Sequence, residues 1–421
     1  MSNLGSFLSL SRRLSRMVGT VVVLALAVSV LTLVTAGAAH AQSFQLVHTF
    51  SGPDGARPTA GLTIDASGKL YGTVRTGHSG SNWGGAFQMR THNGNWLFNT
   101  LYIFDGQISA RVVFGPEGLL YGDSPNNIAG LPYGYLFSLR PGINACTTAL
   151  CSWNETTIYG FTGGADGGTP RYGDLIFDTS GNMYGTASVG GDSNGNGVVF
   201  EATRSGQNWT EQPIYTFGGS PDGSHPFNGL VFDNAGNLYG TTTAGGASGN
   251  GTVFELAPAG GGWSEQIIYN FTGGSDGGFP VAGLIFDSAG NLYGATATGG
   301  SGGGGTVFEL TPSGSSWNFN LLQSFTGAAQ CGPWASLNFD SQGNLWGTTL
   351  CDGANADGNV FELTPAGGGN WTYASVYDFT GGNDGSQPYA KPVFDASGNL
   401  YGTASIAGEH NAGTVWEITN P

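Results

Sequence analysis

Positive charge is what this sequence most lacks. Lys and Arg together number 12 in 421 residues, against 28 Asp and Glu, and the net charge is −16. No basic stripe is present on which nucleic-acid phosphates could be neutralised, so a nucleic-acid partner is excluded. Histidine is almost as sparse, at six residues scattered without metal-ligand spacing. There is no H-E-x-x-H helix and no phosphate-binding loop. Beyond Val34 no apolar run is long enough to span a bilayer as a helix.

The first 41 residues have a different character. Arg12, Arg13 and Arg16 precede an apolar stretch from Val18 to Val34, and Ala39-His40-Ala41 follows. A positive start, an apolar middle and a small-x-small end predict a signal peptide over residues 1–41. The competing reading is an uncleaved anchor, because the apolar stretch approaches spanning length. Cleavage removes three arginines and no acid, so the mature chain, 42–421, is more acidic still. It is expected to be secreted or periplasmic, free of the membrane, and monomeric. Four cysteines in an exported chain predict two disulfides. Cys146 and Cys151 would close a small loop, and Cys331 and Cys351 would pair across one repeat.

Glycine is abundant, at 76 residues, and much of it is periodic. A phrase such as Asp287-Ser288-Ala289-Gly290-Asn291-Leu292-Tyr293-Gly294 occurs seven times. Its aromatic residue falls at Tyr71, Tyr121, Tyr184, Tyr239, Tyr293, Trp346 and Tyr401, at intervals of 50, 63, 55, 54, 53 and 55 residues. Such a period indicates a propeller or solenoid. Each unit divides into four short β-rich runs bounded by turn residues. In one unit these are strand a at 282–286, b at 291–297, c at 305–310 and d at 317–325. Six d runs open on a Trp: Trp96, Trp153, Trp209, Trp263, Trp317 and Trp371. The seventh is Phe44–Phe50 at the start of the mature chain, while the last unit ends after its strand c. Pairing the two closes a ring and removes open sheet edges. The prediction is an all-β, seven-bladed propeller of four-stranded blades, with the N-terminal strand completing the last blade.

The string F-T-G-G-x-D-G-x-x-P, then G-L-x-F-D-x-x-G-N-L-Y-G-T, then G-T-V-F-E-L resembles the GloVer tandem-repeat family of exported bacterial proteins. Asn270–Leu310 is the best copy, and the resemblance extends over about residues 43–419. It implies export and supplies no activity. The D-x-x-G-N-L-Y turn also looks like that of NHL and gluconolactonase-type propellers, an analogy of fold alone.

Residues repeated in every blade are expected to be scaffold. These include the turn acids Asp65, Asp178, Asp233, Asp287, Asp340 and Asp395. They also include the D-G acids Asp54, Asp166, Asp222, Asp276 and Asp384, with Asp105 a degenerate copy; a ring of cation-binding acids is the other reading of the D-G set. Glu201, Glu255, Glu309, Glu362 and Glu417 in strand c are expected to bond between blades, and the strand-d Trp residues to wedge between them. Asp192-Ser193-Asn194-Gly195-Asn196-Gly197 matches the start of a calcium loop, with Asp192, Asn194 and Asn196 as ligands, although Thr203 stands where the bidentate Glu belongs. Calcium is the one cofactor the sequence suggests.

The residues that break the repeat on the face carrying the d-to-a and b-to-c loops are the ligand-binding candidates. They are Arg57, Arg75, His78, Trp83, Arg171, Tyr172, Asp174, His225, Trp334, Lys391, Glu409 and His410. Such a mixture suits a polysaccharide or cell-envelope component. The leading expectation is therefore a non-enzymatic binding module. Two alternatives stand beside it. One is a lactonase, lyase or glycoside hydrolase with acids among Asp174 and Glu409 and bases among His225 and His410. The other is a structural or adhesive surface protein.

Overall fold

The computed structural model describes residues 42–78, 83–125, 130–142, 153–171, 173–206 and 208–419. The predicted signal peptide, Tyr172 and the predicted Cys146–Cys151 pair lie outside them. Among the described residues there are strands and no helix, and hence no helix able to cross a membrane.

Seven antiparallel sheets form a ring, the arrangement of a seven-bladed β-propeller. Numbering blades along the chain, blade 5 has strand a at Ile285–Phe286, b at Leu292–Thr296, c at Thr306–Ser313 and d at Ser316–Ser324. The first strand, Ser43–Thr49, pairs antiparallel with the last, Thr414–Thr419, setting Leu46 opposite Trp416. It supplies strand d of blade 7, as the spare N-terminal strand predicted.

Strand a differs from expectation, with two residues in place of five. The preceding backbone groups bond to side chains of other blades instead of a ladder. Asn228 Nδ2 donates to Val281 O, and Gly283 N donates to Ser336 Oγ. Blade 4 has a fifth strand, Gly223–Pro226, paired with its strand b at Leu238–Gly245. The same contact is a single bridge in other blades, such as Gly278 with Thr298.

The core lies between blades. Tyr184 and Val199 of blade 3 pack with Leu230, Leu238 and Phe254 of blade 4, and Phe254 is fully buried. Burying one such side chain contributes about 1.5–3 kcal/mol. Each strand-d Trp meets the strand-b Tyr of the preceding blade, as in Trp263 with Tyr184 at 6.2 Å. Trp96 with Tyr401, at 5.9 Å, repeats the contact across the closure. The wedge expected of these residues is thus formed.

The repeated acids are occupied. Asp287 accepts from Ala289 N, Asn291 N and Nδ2, and Tyr293 OH, which fixes its turn. Asp276 accepts from Tyr269 OH and from Thr272 N and Oγ1, and Asp166 and Asp384 repeat this clamp. The strand-c glutamates correct an expectation, because their bonds run within a blade. Tyr184 OH donates to Glu201 at 2.7 Å, and the two residues are register partners on adjacent strands of one sheet.

Candidate functional site: the axial cavity

The innermost position of each blade lies two residues before strand a. The seven such residues are Gly61, Arg111, Asp174, Gly229, Gly283, Ser336 and Lys391, ahead of strands that begin at Thr63, Val113, Ile176, Val231, Ile285, Asn338 and Val393. Glycine is suited to this place. A Cβ on Gly283 would lie 2.7 Å from Ser336 Oγ and 3.0 Å from Asn228 Oδ1. Four blades put a larger residue there, and the space beside them is a cavity of about 40 Å³ lined by residues of six blades.

Arg111 spans three blades. Its Nε donates to Asp174 Oδ1 at 2.7 Å, its second terminal nitrogen to Asp174 Oδ2 at 2.5 Å, and its first to Leu62 O at 3.3 Å. This two-point guanidinium–carboxylate contact is the strong, orienting kind. Lys391 also lines the cavity, and its ammonium makes no ion pair or hydrogen bond among the described residues. Enclosure by protein, helped by the nearby Arg111 charge and opposed by Asp174, lowers its pKa to about 8. Trp334 and Tyr389 form an aromatic wall, with ring centroids 5.4 Å apart. The Trp334 indole N–H donates to Gln330 O at 2.8 Å.

The loop carrying Trp334 lacks the Asp clamp made by Asp166, Asp222, Asp276 and Asp384. The Cys331–Cys351 disulfide is formed there, with Cα atoms 4.5 Å apart, and ties the d-to-a loop to the b-to-c loop. A covalent bond stands where other blades use a carboxylate.

Behind Asp174 lies Asp123, 2% exposed, with Oδ1 lacking any partner. Five other blades have Thr at this place. Each donates its hydroxyl to the next blade's carbonyl, as Thr73 does to Ala110 O at 2.9 Å and Thr348 to Ala390 O at 3.1 Å. An ionised carboxylate cannot make that donation, whereas a protonated one can. Burial, reinforced by the charge of Asp174, pushes the Asp123 carboxyl well above the usual range.

Of the sequence-selected candidates, Asp174, Trp334 and Lys391 come together here. Arg57 and His225 do not line the cavity. Both occupy the left-handed position before a proline, with φ of 56°, and their N–H groups donate to the preceding blade's Ala412 O and Asn196 O. Their side chains are exposed on the loop face, and His225 Nδ1 contacts Ser188 O. Arg171, Glu409 and His410 are exposed away from the cavity, Trp83 is 44% exposed, and Arg75 donates to Gln107. His78 ends the strand Leu70–His78. Asp192 accepts from the backbone of Asn194 and Gly195 and from Asn194 Nδ2, so its carboxylate is engaged inside its own turn. No group of three His, Cys, Asp or Glu suited to a metal occurs among the described residues.

Sequence reasoning missed Arg111, Asp123, Asn228 and Tyr389. The signal was legible for Arg111, since aligning the seven units on strand a gives a column of three glycines, Gly61, Gly229 and Gly283, and four unlike residues, Arg111, Asp174, Ser336 and Lys391.

The Gloeobacter/Verrucomicrobia repeat model matches residues 133–328 and 262–421. No curated protein sequence matches the chain. Among solved structures, a protein titled a putative 6-phosphogluconolactonase, from Bacteroides uniformis, is 15% identical, with a TM-score of 0.53 over 82% of this chain and 91% of that one. One titled a gluconolactonase, from Xanthomonas campestris, is 12% identical, with a TM-score of 0.43 over 90% of this chain and 99% of that one. At these identities the likeness is one of fold.

Proposed function

Since the chain belongs to the Gloeobacter/Verrucomicrobia repeat family, whose description carries no activity, we propose from its own residues that it is an exported binding protein for a saccharide of envelope or extracellular material. One observation carries this reading. Four unlike residues at one position of the repeat, Arg111, Asp174, Ser336 and Lys391, converge on one cavity, while the other three blades carry glycine there. A rigid ring presenting a few unlike side chains at one concave place is the usual form of a binding site. The Cys331–Cys351 disulfide suits an oxidising compartment, in keeping with export.

Hydrolysis finds less support in the geometry. Asp174 is held by Arg111, His225 faces a backbone carbonyl, and neither Glu409 nor His410 lines the cavity. No acid and base of that set stand together over a common space.

The test is retention of the mature chain on a glycan and polysaccharide array, beside Trp334→Ala. Retention that drops about tenfold in the variant supports an axial binding site. No retention on any saccharide overturns the reading and leaves a structural role.

A further inference from the structure

The charge at the axis is opposite in sign to that of the molecule. Arg111 and Lys391 face the cavity with one ionised partner, Asp174, while Asp123 is buried without a donor and is neutral when it carries its proton. The local balance is one net positive charge in a chain of net charge −16. Arg111 is held in place, with three of its five N–H donors serving Asp174 and Leu62 O. The Lys391 ammonium has its donors to spare, since its side chain is half-buried at the cavity and no described group bonds it. Beside it, Ser336 Oγ accepts from Gly283 N–H, which leaves its own O–H able to donate.

Size and charge narrow what fits. A cavity of about 40 Å³ holds about three water molecules at some 10–15 Å³ each, which is the bulk of a carboxylate. A single surplus positive charge matches a monoanion and under-compensates a phosphate dianion. It also repels a metal cation. Trp334 and Tyr389 line the same cavity, their rings tilted by 58° to one another, and either ring face is an apolar surface for a sugar ring.

We infer that the axial cavity is a carboxylate subsite, with the Lys391 ammonium as its principal donor and Ser336 O–H as its second, so that the saccharide taken at this face is an acidic one. The inference rests on the saccharide-binding reading and adds the charge class of the ligand. No bond is made or broken, and the carboxylate replaces cavity water.

Titration calorimetry with D-glucuronate, D-glucose and acetate tests it. The expected result is glucuronate bound at least about tenfold tighter than glucose or acetate, with that preference lost in Lys391→Met and kept in Lys391→Arg. Equal affinity for glucose and glucuronate overturns the carboxylate subsite and leaves saccharide binding intact. Acetate bound as tightly as glucuronate overturns the assignment to a sugar acid. No binding of any probe overturns both readings. Should Lys391→Met fail to fold, a pH titration of the wild type beside Lys391→Arg decides. Preference lost at alkaline pH in the wild type alone supports the inference, and preference kept in both overturns it. The charged groups facing Lys391 in that titration are Arg111 and Asp174, with Asp123 behind them.

Discussion

At the scale of single residues, the buried acids decide how this protein responds to pH. Glu211 and Glu265, on outer strands, face Asp166 and Asp222 of the preceding inter-blade loops, and each has an unpartnered Oε1. Burial first, and the neighbouring aspartate second, raise Glu211 to about 8 and Glu265 to about 7. Burial also raises Glu155, and Asp123 follows the same rule more strongly. Folded values above the unfolded ones mean that the native state keeps protons the unfolded chain has lost. The stability the glutamates contribute is therefore complete below their ordinary value of 4.5 and declines as pH climbs towards about 8. Urea midpoints measured across that window should fall with rising pH, and Glu211→Gln should make the fall shallower. A flat profile in the wild type would contradict the burial of these carboxyls.

At the scale of elements, the blades interlock through glycine and proline. The proline of each D-G-x-x-P loop packs on a glycine at the start of the preceding blade's strand c, as Pro280 does on Gly251. Gly251 has φ +96°, and a Cβ there would lie 2.3 Å from Thr242 O and 2.6 Å from Pro280 Cδ. Both the backbone conformation and the space require glycine. Gly251→Ala is expected to destabilise by about 3 kcal/mol, the sum of backbone strain and overpacking. Gly236→Ala makes a good control, because its Cβ would meet nothing within 4 Å although its φ is +87°. The difference between the two urea midpoints isolates the blade interlock from the backbone term. Equal losses would show that the interlock carries no energy.

At the scale of the whole molecule, the N-terminal strand gives the last blade its fourth strand and covers the edge of Thr414–Thr419. Phe44 stacks on Tyr377 with ring centroids 3.7 Å apart, and Trp416 beneath it is fully buried. Deleting Ser43–Thr49 uncovers the edge of Thr414–Thr419, and an exposed strand edge invites pairing with another chain. The truncated protein is expected to elute from size exclusion as a larger species than the intact chain and to melt at a lower temperature. Unchanged elution and melting would show that the strand is not what holds the ring.

Much of this was settled by sequence alone. The period of the D-x-x-G-N-L-Y phrase set the blade count. The spare strand before Thr49 and the missing one after Ile418 set the closure, because a repeat that buries its face only against its neighbours leaves an edge wherever a strand is missing. The loss of the D-G acid beside Cys331 marked where a disulfide would take over. The site was only half legible. Asp174, Trp334 and Lys391 stood out because each broke the repeat, but so did Arg57, His225 and Glu409, and one-dimensional order does not tell the axis from the rim. The ring decided that. It carries the residue two before strand a in every blade to the axis, so Arg111 and Asp174, 63 positions apart, meet at 2.7 Å, while the pre-proline residues face outward. The strand-c glutamates show the same limit. Their need for a partner was readable from burial, but whether that partner lay in the same blade or the next was fixed by register, which only the folded sheets possess.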